Sequence, residues 1–310
     1  MQKRVTLVGL LQAAGALTVL FSVVTTLDSI HHGVELFVHF RGQYLVISVL
    51  LAIAFGLLRN PLYTGLMLLA AVVNAYHVVP WYIADAPQAS GTPLKIVLAN
   101  VRASSDAYER VLDFIDAESP DIVFLQEVTP AWMEAVNDLT RDFAFHYAEP
   151  RAGNFGIAMF SRVPLDWVAH VDGPPLGHPT IIATALVDER PLTLISTHPM
   201  IPLGRDRFAA RNEQLRHVAD LVAESEGPLV LIGDLNTTMW SHSYRTFVSR
   251  TGLLDARRGF GVLPTWPTFM PLAMIPIDHA LVSSDVGVLD VRRGRRIDSD
   301  HLPLVVTVQL

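Results

Sequence analysis

Cysteine is absent from the 310 residues. Its absence excludes disulfides, zinc–thiolate sites and a cysteine nucleophile, and it leaves the redox compartment open. Charge is scarce and unevenly placed. Up to Ile83 the only charged residues are Lys3, Arg4, Asp28, Glu35, Arg41 and Arg59. Setting these four basic and two acidic residues aside from the totals of 23 and 30 leaves the rest of the chain at a net charge of about −9. Neutralising many nucleic-acid phosphates needs a basic surface, so the bulk charge disfavours nucleic acid as a partner. Internal repeats and low-complexity tracts are also missing.

What fills the first 83 residues is apolar. Three runs stand out, at about 5–27, 43–58 and 62–83. A helix rises 1.5 Å per residue, so a run of roughly 20 residues crosses a hydrocarbon core of about 30 Å. The first run is too long for a signal peptide and no small-residue cleavage pattern follows it. The second is short and needs its flanks to span. The third ends near Trp81 and Tyr82, rings that favour the membrane interface. Arg59-Asn60-Pro61 is a tight break between the second and third. Lys3 and Arg4 before the first span, with Arg59 in the second turn, place the N-terminus in the cytoplasm by the positive-inside rule. Arg41, Asp28 and Glu35 then sit in an outer loop, and everything after Ile83 lies outside. The expectation is a multi-pass protein of the cell membrane whose linker, residues 84–94, leads to an extracytoplasmic domain over 95–310.

From Lys95 onward, short β-type runs alternate with helical patterns. The expected strands are Lys95–Val101, Asp121–Gln126, Gly156–Ser161, Thr180–Val187, Leu192–Thr197, Leu229–Ile232, His279–Val282 and Leu304–Val308. Helical patterns fit Asp106–Glu118, Pro130–Thr140, Arg205–Glu224 and Ser241–Arg250. The fold class is α/β, a layered sandwich of two mixed β-sheets flanked by helices and preceded by three transmembrane helices.

Several strands end directly in polar residues. Asn100 follows Leu98-Ala99, Glu127 follows Phe124-Leu125-Gln126, His198 follows Ser196-Thr197, and Asp234 and Asn236 follow Leu231-Ile232-Gly233. Ligands of α/β sheets gather at carboxyl ends of strands, so these groups are expected to meet at one edge. Each alone reads as a turn residue, a helix cap or an ordinary histidine. Together they form a set of hard oxygen donors suited to magnesium or manganese.

The order Asn100, Gln126-Glu127, Ser196-Thr197-His198, Gly233-Asp234-Leu235-Asn236, Asp278-His279 and Ser299-Asp300-His301 resembles the endonuclease/exonuclease/phosphatase superfamily. Gly156-Ile-Ala-Met-Phe-Ser-Arg162 also looks like that family's central strand. The resemblance covers about Lys95 to Leu310. It implies that Glu127 is the principal metal ligand, with Asn100 and Asp300 close by. Asp234 would deprotonate the attacking water and Asn236 would bond a phosphate oxygen. His301, oriented by Asp278, would stabilise charge gathering on phosphorus, and His198 would contact the phosphate or assist the leaving group. The cofactor implied is Mg2+ or Mn2+. One departure is Val101-Arg102, where several nucleases of the family carry a further acidic residue, which puts a second metal carboxylate there in doubt.

Two arginine groups lie near the motifs: Arg205, Arg207 and Arg211 after His198, and Arg292, Arg293, Arg295 and Arg296 before Asp298. They read either as a solvated helix face and a charged hairpin, or as guanidinium grips on further anionic oxygens. Arg205, Arg207, Arg211 and Arg295, with Trp266, are the substrate-binding candidates. The proline-rich stretch Pro264–Pro276 reads either as a packed cover or as a membrane-facing rim that admits a lipid tail. Among relatives, the chain looks most like a membrane-anchored bacterial branch that includes teicoplanin-resistance membrane proteins, for which hydrolysis of a lipid-carrier pyrophosphate is implied. The leading expectation is a phosphoesterase acting outside the cytoplasm on a phosphorylated substrate, lipid-linked or otherwise small, beside the lipid bilayer. An extracytoplasmic nuclease is the alternative, and a catalytically silent binding module is a third. No obligatory protein partner is indicated.

Overall fold

The computed structural model of the chain describes residues 6–83, 85–86, 88 and 90–310. Lys3, Arg4 and Val5, on which the predicted orientation and the start of the first span rest, lie outside the described residues. So do Ala84, Pro87 and Ala89 of the expected linker.

The N-terminal part is helical: α1 Leu7–Val24, α2 His32–Val38, α3 Arg41–Leu57, α4 Pro61–Val78 and α5 Pro80–Ile83. Helices α3 and α4 form a hairpin through Arg59, which takes a left-handed φ of 53°, and Asn60. The Asn60 side chain caps α4 by accepting the Tyr63 amide at 3.3 Å. Pro61 at the first helical position has no amide to satisfy. Two stretches, Leu7–Leu27 and Pro61–Val78, are long and apolar enough to cross a membrane, and α2 with α3 makes a third candidate bent by 58°. The third expected span is therefore shorter than 62–83. Pro80 cannot donate the bond that would carry α4 onward, and the turn beyond it docks elsewhere: the Trp81 carbonyl accepts the amides of Gly259 and Gly261.

Arg41 is not a loop charge. It is buried, and its Nη1 donates to the Ser22 carbonyl at 3.1 Å and to Asn74 Oδ1 at 3.3 Å, while Asn74 Nδ2 donates to Ser22 Oγ at 2.8 Å. This polar knot ties α1, α3 and α4 together inside an otherwise apolar bundle.

The remainder holds strands β1 Leu94–Asn100, β2 Ile122–Gln126, β3 Phe145–Glu149, β4 Ile157–Ser161, β5 Leu165–Gly173 and β6 His178–Val187. It continues with β7 Arg190–Thr197, β8 Leu229–Asp234, β9 Leu254–Asp255, β10 Asp278–Val282, β11 Gly287–Arg293 and β12 Leu304–Gln309. The helices are α6 Tyr108–Glu118, α7 Pro130–Ala135, α8 Leu139–Asp142, α9 Arg205–Glu224 and α10 His242–Thr251. One sheet runs β11-β12-β1-β2-β4-β3 and the other β5-β6-β7-β8-β10-β9. They are mixed: β1 pairs parallel to β2 and β7 parallel to β8, each across a helix, while the other pairs are antiparallel.

Side chains such as Leu98, Phe124, Leu194, Ile232 and Val306 fill the space between the sheets. Helices α6 and α7 cover one outer face through Phe114 and Trp132, and α9 and α10 cover the other through Leu215 and Phe247. This is the expected two-sheet sandwich flanked by helices. Val38 of α2 and Val78 of α4 belong to that second outer cluster, so the helical region packs directly against the sandwich.

Candidate active site

Both parallel crossings end at one edge, and that edge collects the motif residues. Asn100 closes β1, Glu127 follows β2, His198 follows β7, and Asp234 closes β8. Asp278 opens β10 and pairs in register with Asp234 across the antiparallel ladder. Gln126 staples the two sheets behind them: its Nε2 donates to the Thr197 carbonyl at 2.9 Å and its Oε1 accepts the Asp234 amide at 2.9 Å. Gly233 is required here, because a Cβ would stand 2.0 Å from the Thr197 carbonyl oxygen and 3.0 Å from Gln126 Nε2. Glu127 and Asn236 take left-handed φ values of 63° and 50°. That backbone is costly for a glutamate, by about 1–2 kcal/mol, and tends to persist at functional sites.

Asp234 is the centre. Its Oδ1 accepts the Asn236 amide at 2.8 Å. Around its Oδ2 stand Asn100 Nδ2 at 3.5 Å, His198 Nε2 at 3.5 Å and His301 Nε2 at 3.6 Å. His301 Nδ1 lies 2.9 Å from Asp278 Oδ2. Glu127 Oε1 accepts Asn100 Nδ2 at 3.1 Å and Oε2 accepts the Ala103 amide at 2.9 Å. Asn236 Nδ2 donates to the Pro199 carbonyl at 2.9 Å and lies 3.3 Å from His198 Nε2. The Ser299 hydroxyl donates to the Asn100 carbonyl at 2.7 Å and accepts the His301 amide at 3.1 Å, which seats the loop before β12 against β1.

The electrostatics separate the two histidines. Burial alone would lower the His301 pKa, but the charges of Asp278 and Asp234 and the Asp278 hydrogen bond outweigh it and push it up to about 9. His198 is lowered to about 3, first by burial and then by the positive charge of His301. At neutral pH one imidazole carries charge and the other does not. Asp234 is raised to about 8, by burial first, with Asp278 and Glu127 adding to it and His301 opposing. Glu127 is raised by burial. Asp278 is held low against its burial by His301.

This excess of buried carboxylate fits a divalent cation. Asp234, Asp278 and His301 each offer a ligand atom within 4.8 Å of the others. The His301–Asp278 hydrogen bond already commits two of those atoms, so Glu127 and Asp300, with the Asn100 amide oxygen, are the freer donors. All are oxygen ligands, the set preferred by magnesium and manganese.

A cavity of about 140 Å³ opens onto Asp234, flanked by Glu127, Asn236, His198, Asp300 and His301. Its walls include Asn154, Phe155, Ile201 and Ile277, which the sequence reading did not single out. Phe155 stacks on His178 with centroids 3.5 Å apart; no motif marks it, and only its place before the β4 motif hinted at it. Trp266 does reach the site, where its Nε1 donates to Asp300 Oδ2 at 3.1 Å. The four arginines do not line this cavity. Arg205 and Arg207 stand exposed at the start of α9 and Arg295 is exposed on the hairpin. Arg211 corrects the substrate reading most clearly. It is fully buried and its guanidinium is consumed by Glu35, Ser243 Oγ and the carbonyl of Asn236.

What the sheets converge on is the chemistry of phosphoric ester hydrolysis. The chain belongs to the Endonuclease/Exonuclease/phosphatase family, whose profile matches residues 97–301. Solved structures agree in fold. D. rerio TDP2 complexed with single strand DNA product superposes with a TM-score of 0.60 at 18% identity, covering 71% of this chain and 100% of that one. The endonuclease/exonuclease/phosphatase from Beutenbergia cavernae gives 0.57 at 20% identity, covering 70% and 72%. The human Nocturnin catalytic domain gives 0.55 at 20%, covering 74% and 98%. No curated protein matches the sequence.

Proposed function

We propose that the chain is a membrane-anchored, divalent-metal-dependent phosphoesterase acting on a lipid-linked or similarly small phosphoric ester or anhydride on the outer face of the membrane. Glu127, with Asp300 and Asn100, would hold Mg2+ or Mn2+, and Trp266 keeps Asp300 in place. When bound, the cation supplies a positive charge against the scissile phosphate. Asp234 Oδ2 takes the proton of the attacking water as its oxygen bonds to phosphorus and the bond to the leaving oxygen breaks. His301, charged and oriented by Asp278, donates to an equatorial oxygen where negative charge develops. Asn236 donates from a second side. His198, neutral, offers its ring as a hydrogen-bond partner next to Asn236.

The observation that carries the substrate class is a shared wall. The strip Pro264–Ile277 has the catalytic cavity on one side, through Trp266 and Ile277. On its other side is an apolar cleft of about 670 Å³, lined by Pro264, Met274 and Pro276 together with Leu45 and Ile47 of α3 and Val78 of α4. A chain lying in that cleft would leave the bilayer beside the cavity, which suits an amphiphilic phosphate. The membrane-anchored bacterial resemblance points the same way.

Topology is part of the proposal. Residues 28–41 and the sandwich touch each other and are separated in sequence by α3 and α4. Three spans therefore place both on one face, and Arg59 on the other, which the positive-inside rule makes cytoplasmic. A reporter active only outside the cytoplasm, fused to the C-terminus, should read positive. A panel of polyprenyl pyrophosphate, phospholipid, DNA and RNA substrates with Mg2+ or Mn2+ tests the chemistry. Turnover of the lipid phosphates well above the nucleic acids is expected, and a preference for DNA or RNA would replace this reading with the nuclease.

A further inference from the structure

The loop that carries Asn236 is gripped from behind by the helical region. Glu35 of α2 is 1% exposed, and Arg211 of α9 is 0% exposed. Glu35 Oε1 accepts Arg211 Nη2, and Oε2 accepts the Ser243 hydroxyl at 2.6 Å. The same guanidinium donates through Nη1 to the Asn236 carbonyl at 2.9 Å. Two residues further along, Thr238 Oγ1 lies 3.0 Å from Nδ1 of buried His39. Asp28 accepts the His242 amide at 2.5 Å, and Trp240 Nε1 donates to the His77 carbonyl at 3.0 Å.

Asn236 needs such support. Its φ of 50° is left-handed, so its carbonyl is turned out of the strand direction and must find a donor away from the ladder. The donor is a charge buried with its partner. A buried ion pair is a poor source of stability but a good determinant of unique geometry, since neither group tolerates being displaced from the other. Misplacing a group that bonds the reacting phosphate by an ångström costs on the order of a hundredfold in rate.

We infer that residues 28–41 between the first two membrane helices are a positioning element of the active site, with Glu35 setting the Asn236 carboxamide through Arg211. The anchor therefore does more than hold the enzyme at the membrane. Glu35 is a positioning residue; it touches no substrate.

This rests on the phosphoesterase reading, and the test separates the two. Full-length protein in detergent carries Glu35→Gln, which keeps the shape and the Ser243 contact but removes the charge facing Arg211. At saturating substrate, kcat per folded enzyme should fall about tenfold with KM within about twofold, and Glu35→Asp should recover part of it. In an Asn236→Ala background the same Glu35→Gln change should have almost no further effect. A purely structural Glu35 would instead lower the melting temperature, leave kcat per folded enzyme intact, and act equally in both backgrounds; either result overturns the inference. If wild-type protein turns over no phosphoester, the functional reading fails, but the link remains measurable. With 15N-asparagine labelling, the side-chain amide signal assigned by its loss in Asn236→Ala should move in Glu35→Gln. An unmoved signal would also overturn it.

Discussion

Buried charge is concentrated in two places, and they handle it in opposite ways. At the junction between α2 and the sandwich, acids are matched with arginines: Glu35 with Arg211, and Asp28 with Arg245 at 3.1 Å. At the strand ends, Asp234, Asp278, Glu127 and Asp300 crowd around one charged imidazole. The junction is neutralised within the protein and closed to solvent. The site is left with unneutralised negative charge and opens to a cavity. Pairing marks structure, and an unbalanced surplus marks the place where a cation and a reacting phosphate belong.

The largest expected effect comes from unbalancing the junction. Arg211→Met leaves Glu35 ionised and unpaired in the interior, which should cost about 3–5 kcal/mol. Adding Glu35→Leu should restore most of that stability, as removal of a whole buried pair is tolerated far better than removal of half. Thermal melts of the single and double variants in the same detergent check this. Equal losses would mean that the pair is not isolated from solvent as the burial implies.

The site should respond with the opposite sign in stability. Asp234→Asn and Glu127→Gln remove charges that burial and neighbouring carboxylates disfavour, so their melting temperatures should hold or rise. Their turnover should fall by at least about a hundredfold, and excess chelator should reproduce the loss in the wild type. A variant that melts normally and works normally would remove that residue from the mechanism.

A smaller effect follows from His301. Its pKa is raised to about 9 in the folded protein, above the 6.5 of a free imidazole. Its charge, and the stability its partners contribute, are therefore present below about 6.5 and lost as pH rises through about 9. Activity should fall on that alkaline limb. Asp278→Asn, by weakening the partner, should move the limb to lower pH. If the limb stays where it was, another group is titrating.

Much of this arrangement was readable in the amino-acid order, and the omissions have a common cause. The eight expected strands are the interior ones of both sheets; β3, β5, β9 and β11, which were missed, are the four sheet edges. Edge strands face solvent and carry polar residues, as in Phe145-His-Tyr-Ala-Glu149, so they lack an apolar run. The site residues were legible because each terminates an apolar strand. Arg211 was misassigned because nearness in sequence to His198 says nothing about which way a helix face turns. Helix α2 was missed because its polar residues, Glu35 and His39, read as loop until their buried partners on the sandwich are known. The stretch 264–276 divides between its two readings. Thr265 and Thr268 are buried, and the latter donates to the Ser299 carbonyl at 2.9 Å, whereas Phe269, Met270 and Leu272 are exposed. Met274 is not part of that rim; it is half-buried and lines the apolar cleft, and its carbonyl accepts Gln43 Nε2 at 2.8 Å.

The smallest effect on stability and the sharpest on substrate choice should come from that rim. Leu272 is 93% exposed, an arrangement that costs nothing to undo and would be wasteful unless the face meets lipid. Changing Phe269 and Leu272 to serine should shift stability by no more than about 0.5 kcal/mol, as for surface positions generally. Neither side chain lines the catalytic cavity, so a short soluble phosphoester should be hydrolysed at the wild-type rate. A lipid phosphate presented in a bilayer should be hydrolysed several-fold more slowly, because the enzyme would engage the interface less well. Met274→Ser makes the internal comparison: lining the cleft instead of the rim, it should raise KM for long-chain lipids more than for short-chain ones. If serine at 269 and 272 slows both substrates equally while the fold stays intact, the rim acts on the cavity and not on the membrane. If neither rate changes, the exposed apolar residues have no part in substrate capture.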